Sequence, residues 1–301
     1  MELSDIQTTG KGRVYYLASH TNVGLVCIDR DALLIDSGLD DDAAKKIDRI
    51  AVGKNVGLHT VISTHHHADH CGGNAYLQRV HPQMAFLAPD VEAALISSPE
   101  LEPMYLFGSP DVPKELRNKF LQAQPTRNVA VLPAGRFMWH DYLLDVVPLQ
   151  GHSPNQIGIG VGKNVLFCAD SVFGEEVLAK HKIPFYMDIG STRKTFEWLR
   201  QSDYQLYVPS HGEPFGDIAS VVSAHEEVVD SVEDYVRNSL RGKMTFDDLL
   251  RTVCDGYSAP IDSLQRYVLM KTVISGFVSH LYEKGELCFA FDKNVMYLTR
   301  K

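Results

Sequence analysis

The stretch Ser63–Asn74 reads Ser-Thr-His-His-His-Ala-Asp-His-Cys-Gly-Gly-Asn, so His65, His67, Asp69 and His70 fall almost side by side. Imidazole is the commonest nitrogen ligand for zinc, and carboxylate is a frequent oxygen partner. Groups at near-alternating positions can face one point in space without a long closed loop. A purification tag would lie at a terminus and would lack the embedded Asp69 and the flanking strand. Upstream, the apolar, β-branched Leu58–Ile62 reads as a buried strand. Downstream, two glycines precede Ala75–Val80, which reads as a helix. The cluster is thus expected at the carboxyl end of a strand, where open α/β sheets place their chemistry.

Further ligand-type residues follow apolar runs in the same way. His152 follows Leu143–Leu149, Asp170 follows Val165–Phe167, and His211 follows Gln205–Val208. Upstream, Leu33–Gly38 carries Asp36. The pattern His-x-His-x-Asp-His with these groups in this order resembles the metallo-β-lactamase superfamily, over roughly residues 13–216. The resemblance implies an α/β fold, a four-layer αββα sandwich. It implies that His65, His67 and His152 hold one divalent metal ion, that Asp69, His70 and His211 hold a second, and that Asp170 bridges them. It makes Asp36 a support for the ligand loop, outside the metal shell. Zinc fits this His/Asp set, and iron or manganese also accept it. A metal-bridging hydroxide would attack a carbonyl or phosphoryl centre, with Asp69 as the catalytic proton acceptor. Two departures narrow the family. Ser153–Gln156 lacks the glycine and histidine that follow the proline in the glyoxalase II branch. No domain-sized insertion separates His152 from Asp170, which sets aside the β-CASP nucleases.

Some neighbours resemble ligands without fitting. His66 is out of phase with His65 and His67, and is expected to point away from the metals. Cys71 offers a soft thiolate, but reads as a small buried helix residue. Cys168 reads as core. His20 and Asn22 read as a polar turn.

Composition bounds the rest. The chain has 301 residues, 45% of them hydrophobic and 22% charged, as a soluble globular protein would. Five scattered cysteines argue for a reducing, cytoplasmic setting and against a disulfide framework. The polar start of the chain does not read as a signal peptide, and no apolar run is long enough to span a membrane. The net charge of −9 disfavours a general affinity for nucleic acid or anionic membranes.

In chain order, Arg13–Ala18, Val23–Ile28 and Ala32–Ile35 read as strands and Asp40–Val52 as a helix. Asp90–Ile96 and Lys114–Gln122 read as helices around Pro103–Pro110. This proline- and glycine-bounded aromatic run suits either a substrate wall or a satellite core under the loop. With Ile183–Asp188 it nominates Met104, Tyr105, Phe107, Phe185 and Tyr186 as a substrate wall. Residues 1–216 are expected to form the catalytic domain and 217–301 a small helical, winged-helix-like domain. The latter has helices at Ile218–Arg241, Phe246–Val253 and Ile261–Glu283 and a closing hairpin. Its acidic and basic residues nearly balance, so a structural or dimerising role is expected over nucleic-acid contact, and a homodimer is left open.

The apolar segments and the acidic charge favour a dinuclear hydrolase of a small acyl substrate: an ester, thioester or lactone. The winged-helix-like tail raises an alternative, a phosphodiesterase or endoribonuclease. A mononuclear iron sulfur dioxygenase is the third reading.

Overall fold

Successive side chains along a strand point to opposite faces, and because both faces are buried that alternation builds the layers. In β2 (Gly12–Ala18), Val14 and Tyr16 join one hydrophobic cluster, and Tyr15 and Leu17 join another. In β4 (Asp31–Ile35), Leu33 and Ile35 divide from Ala32 and Leu34 in the same way. The computed structural model describes residues 2–9 and 12–301. Its first sheet runs β1 (Glu2–Thr9), β2, β3 (Val23–Ile28), β4, β5 (Gly57–Ile62), β6 (Ala85–Ala88) and β7 (Val129–Val131), in chain order. The second sheet has the order β12-β11-β10-β9-β8. It is built from β8 (Gly135–Trp139), β9 (Tyr142–Pro148), β10 (Ile157–Val161), β11 (Val165–Ala169) and β12 (Leu206–Pro209).

The two sheets meet face to face over Val14, Ile35 and Ile62 on one side and Val146, Ile159 and Phe167 on the other. Helices α1 (Asp41–Gly53) and α3 (Asn74–Val80) cover the outer face of the first sheet, through Ala44, Ile47 and Leu77. Asp40 caps α1, and Asp41 and Asp42 lie in its first turn, where the helix dipole favours negative charge. The outer face of the second sheet is covered by α7 (Ile189–Gln201), α8 (Ile218–Ser239), α9 (Phe246–Gly256) and α10 (Leu264–Glu283). The mixed α/β order is therefore helix, sheet, sheet, helix.

The last helices share their core with the sandwich. One cluster joins Leu149, Leu166 and Tyr207 to Val229, Leu250, Phe277 and Leu298. Glu233 of α8 accepts from Arg193 of α7 at 2.6 Å and Lys284 beyond α10 at 2.9 Å. The chain ends in a hairpin, β13 (Leu287–Asp292) and β14 (Val295–Arg300), turned by Lys293 and Asn294 with φ of 47° and 66°. Among the described residues, no helix is long and apolar enough to cross a membrane.

Two local expectations need correcting. Lys114–Gln122 forms only a 3-10 turn at Lys114–Leu116. Much of the aromatic run lies on a helix, α5 (Leu101–Phe107), ended by Gly108 with φ of 87°. The glycine-spaced β10 carries a weak strand signal, because glycine leaves no side chain to pattern.

Candidate metal centre

Five chain segments bring their carboxyl ends to one edge of the sandwich. Asp36 follows β4, the His65–His70 loop follows β5, His152 follows β9, Asp170 follows β11 and His211 follows β12. Two positions leave ordinary backbone space to do so: Asp36 has φ of 65° and Ala169, just before Asp170, has φ of 49°. The short helix α2 (Ala68–Cys71) meets α3 at Gly72, where a Cβ would lie 1.9 Å from the Leu39 carbonyl oxygen. Only glycine lets the ligand loop seat this closely.

The side chains converge in two groups. His67 Nδ1 lies 3.1 Å from His65 Nε2 and 2.9 Å from His152 Nε2. Asp69 Oδ2 lies 3.2 Å from His211 Nε2 and 3.7 Å from His70 Nε2. Asp170 stands between them. Its Oδ1 is 3.5 Å from His70 Nε2, and its Oδ2 is 3.4 Å from both His152 Nε2 and His211 Nε2. The sets His65/His67/His152 and His65/His70/Asp170 could each hold a metal ion, and Asp69 with His211 belongs to a further such set with His20.

The other ring nitrogens are held in place. Asp36 Oδ1 accepts from the Thr64 amide at 2.7 Å, and Oδ2 accepts from the Thr64 hydroxyl at 2.9 Å and His70 Nδ1 at 2.8 Å. The Thr64 hydroxyl, donating to Asp36, is left to accept from His65 Nδ1 at 3.1 Å. His152 Nδ1 donates to the Phe185 carbonyl and His211 Nδ1 to the His20 carbonyl, both at 2.7 Å. Each contact sets the tautomer that turns an Nε2 lone pair inward.

Divalent cations fit this donor set. His70 Nε2 and Asp170 Oδ1 are buried with no hydrogen-bond partner, a costly state that a cation relieves. Burial opposes ionisation of Asp170, but His211, His70 and His152 outweigh it and hold its carboxyl well below the usual range. Burial likewise opposes charge on His70, but Asp69, Asp170 and Asp36 outweigh it, so positive charge is called for there. Burial, with His70, His67 and His152, keeps the His65 ring neutral, as a ligand must be.

His66 points elsewhere. Its Nδ1 pairs with the fully buried Glu92, and its Nε2 lies 3.2 Å from the Tyr105 hydroxyl. Glu92 also accepts from Ser153 Oγ at 2.8 Å and the Asn155 amide at 2.7 Å, tying the His66 backbone to the turn after His152. Cys71 Sγ donates to the His66 carbonyl at 3.1 Å, and Cys168 lies in the core. Thr21 donates to Asp69 Oδ2 at 3.0 Å, and Asn22 donates to the Pro209 and Gly212 carbonyls around His211. Glu102 faces the centre from α5, 3.9 Å from His67 Nε2, and burial pushes its carboxyl up to about 8. Thr21, Glu92 and Glu102 carry no motif. Their only signal is a polar side chain on an otherwise inward-facing stretch.

Two clefts open from the centre, and His152, Asp69, Asp170 and Phe185 border both. One, about 330 Å³, runs to Leu269, Met270 and Val273 of α10. The other, about 530 Å³, is bordered by His20, Phe173, Lys180 and His211. Of the expected substrate wall, Phe185 lines both of these clefts, and Met104, Tyr105, Phe107 and Tyr186 line neither. Tyr186 is buried, and its hydroxyl donates to the Ser171 carbonyl at 3.1 Å. Met104 and Phe107 pack on a satellite core with Leu106 and Leu116. Tyr105 reaches His66 instead. Helical periodicity explains the difference, because α5 turns these side chains to different sides.

The profile of the Metallo-beta-lactamase superfamily matches residues 17–211. The chain belongs to that superfamily, whose members are generally hydrolases holding divalent metals, often zinc. A hydroxyacylglutathione hydrolase from Aeromonas salmonicida (strain A449) is 27% identical over 152 residues, which cover 50% of this chain and 46% of that protein. The chain thus spans about half the length of the relatives it matches. Among solved structures, a beta-lactamase domain protein from Burkholderia ambifaria superposes with a TM-score of 0.74 at 16% identity, covering 100% of this chain and 94% of its own. A metallo-beta-lactamase family protein from Thermus thermophilus gives 0.72 at 15% identity, covering 93% and 94%. At these identities the likeness concerns the fold.

Proposed function

We propose that the protein is a dinuclear metal-dependent hydrolase of a small ester, thioester or lactone. The observation that carries this reading is Asp170 standing between two ligand groups, at the inner end of an apolar cleft. His65, His67 and His152 would hold one ion, and Asp69, His70 and His211 the other; when bound, such ions would acidify a water and polarise the scissile carbonyl. Asp69, steadied by Thr21, accepts the proton of the nucleophile. Asp36 fixes His70 directly and His65 through Thr64. The partial likeness to a thioester hydrolase supports the acyl class. Residues 1–216 carry the chemistry in this reading, and 217–301 complete a cleft wall. Metal analysis should find two ions per chain, and Asp170→Ala should lower turnover of an acyl substrate by about a thousandfold or more. A single metal in fully active protein would sink the dinuclear reading and favour the iron dioxygenase.

One observation favours a second reading. Arg241, Lys243, Arg300 and Lys301 border a cleft beside the hairpin, with no Asp or Glu among its lining residues. A winged-helix-like tail using this patch would fit a phosphodiesterase or endoribonuclease. Efficient cleavage of single-stranded RNA that falls steeply with salt, alongside negligible acyl hydrolysis, would select it.

A further inference from the structure

Helix α10 lies far along the chain from every ligand, yet it supplies much of the smaller cleft's wall. Arg266, Leu269, Met270 and Val273 are spaced i, i+3, i+4, i+7, one face of the helix, and all four line that cleft. Ile183, Phe185 and Leu121 supply further apolar wall. The polar groups of the helix face lie toward its start. Arg266 pairs with Asp262 at 2.9 Å, and Gln265 accepts from Asn118 at 3.0 Å. Three residues beyond Val273, Gly276 seats α10 on the chain that orients His152. A Cβ there would lie 2.6 Å from the Met187 carbonyl oxygen, and the neighbouring Phe185 carbonyl accepts from His152. The apolar face therefore starts beside the metal centre and extends about 10 Å along the helix to Arg266.

We propose that this cleft is an acyl-chain subsite, in which Leu269, Met270 and Val273 set the chain length accepted. This rests on the acyl-hydrolase reading above and names its substrate class: an ester or thioester of an unbranched aliphatic acid. The carbonyl lies among His67, His152 and Asp170, and the tail runs outward along α10. Phe120, 58% exposed at the lip, keeps an apolar surface where a longer tail would emerge. Each methylene that enters should raise kcat/KM by about three- to fourfold until the wall is exhausted.

The test is a series of thioesters from acetyl to decanoyl, assayed on metal-loaded wild type, Met270→Trp and Leu269→Ala. The decanoyl-to-acetyl ratio of kcat/KM should fall about tenfold or more in Met270→Trp, whose indole fills the cleft. It should fall by a smaller factor in Leu269→Ala, which removes apolar wall. Ratios unchanged in both variants would overturn the subsite. Thermal melting and metal content identify a misfolded variant, and Leu269→Ala then decides alone. If wild type hydrolyses neither these thioesters nor the matching esters and lactones, the hydrolase reading fails by itself. Calorimetric titration with decanoate then judges the subsite: binding that Met270→Trp weakens supports it, and no binding overturns it.

Discussion

The ligand loop and helix α10 border the same cleft but reach it by opposite routes. His65, His67 and His70 are placed by a few adjacent residues: a strand end, a two-residue alternation, and a glycine that admits Leu39. Leu269, Met270 and Val273 are placed by the packing of a whole helix on Met187 and on the core it shares with the second sheet. The loop is held where His65 and His70 are pinned by their second nitrogens, on Thr64 and Asp36. The wall is as firm as the surrounding side-chain packing. Chemistry should thus be sensitive to single hydrogen bonds, and substrate choice to volume.

Among residues that support the ligands without joining them, the largest effect is expected for Asp36→Asn. The variant keeps the shape but weakens the support of His70 and Thr64. Metal affinity should fall about 10- to 100-fold, measured by competition with a chelator. Wild-type affinity in the variant would mean that packing, and not Asp36, orients these rings.

A second test asks how firmly the C-terminal helices grip the centre. His225 of α8 accepts from the Phe173 amide at 2.9 Å and donates to the Val221 carbonyl at 2.8 Å. Phe173 sits three residues past Asp170, so this bond ties the helix to the ligand loop. Burial pulls the His225 pKa from 6.5 down to about 4. The neutral ring is therefore the folded form. Its contribution is fully present above pH 6.5 and is lost as pH falls from 6.5 through about 4, amounting to about 3 kcal/mol at most. Chemical denaturation of wild type and His225→Gln should show a stability gap that narrows over that window. A gap that stays constant would show that the ring's protonation does not matter.

The smallest effect separates sequence adjacency from function. Cys71 follows His70 directly but packs with Ala68, Ala88 and Ile96. Cys71→Ala should keep its metal and stay within about threefold of wild-type turnover, as substitutions away from a site's working groups usually do. Loss of an ion would place the thiol in the metal shell.

Much of this protein could be read along the chain. Apolar runs marked β2, β3 and β4, and the acidic Asp40–Asp42 marked the start of α1, because strand runs and helix starts are local properties. The ligand-type residues were visible because each directly follows an apolar strand, and a strand's end aims only the next few residues. His66 does leave the phase of its neighbours and turns to Glu92, though it stays buried beside His67 and Glu102. Contacts between distant residues were not legible in this way. Nothing local marks Thr21 as the partner of Asp69, Glu92 as the anchor of the His152 turn, or the Phe185 carbonyl as the acceptor for His152. The aromatic run on α5 left a substrate wall and a satellite core both open, and helical geometry put Met104 and Phe107 in the satellite core. Nothing in the helical pattern of Ile261–Glu283 singles out Leu269, Met270 and Val273. Only the docking of α10 on Met187, made possible by the missing side chain at Gly276, turned that face to the metal centre. A hydrophobic stripe encodes that a surface will be buried, and packing between elements decides against what.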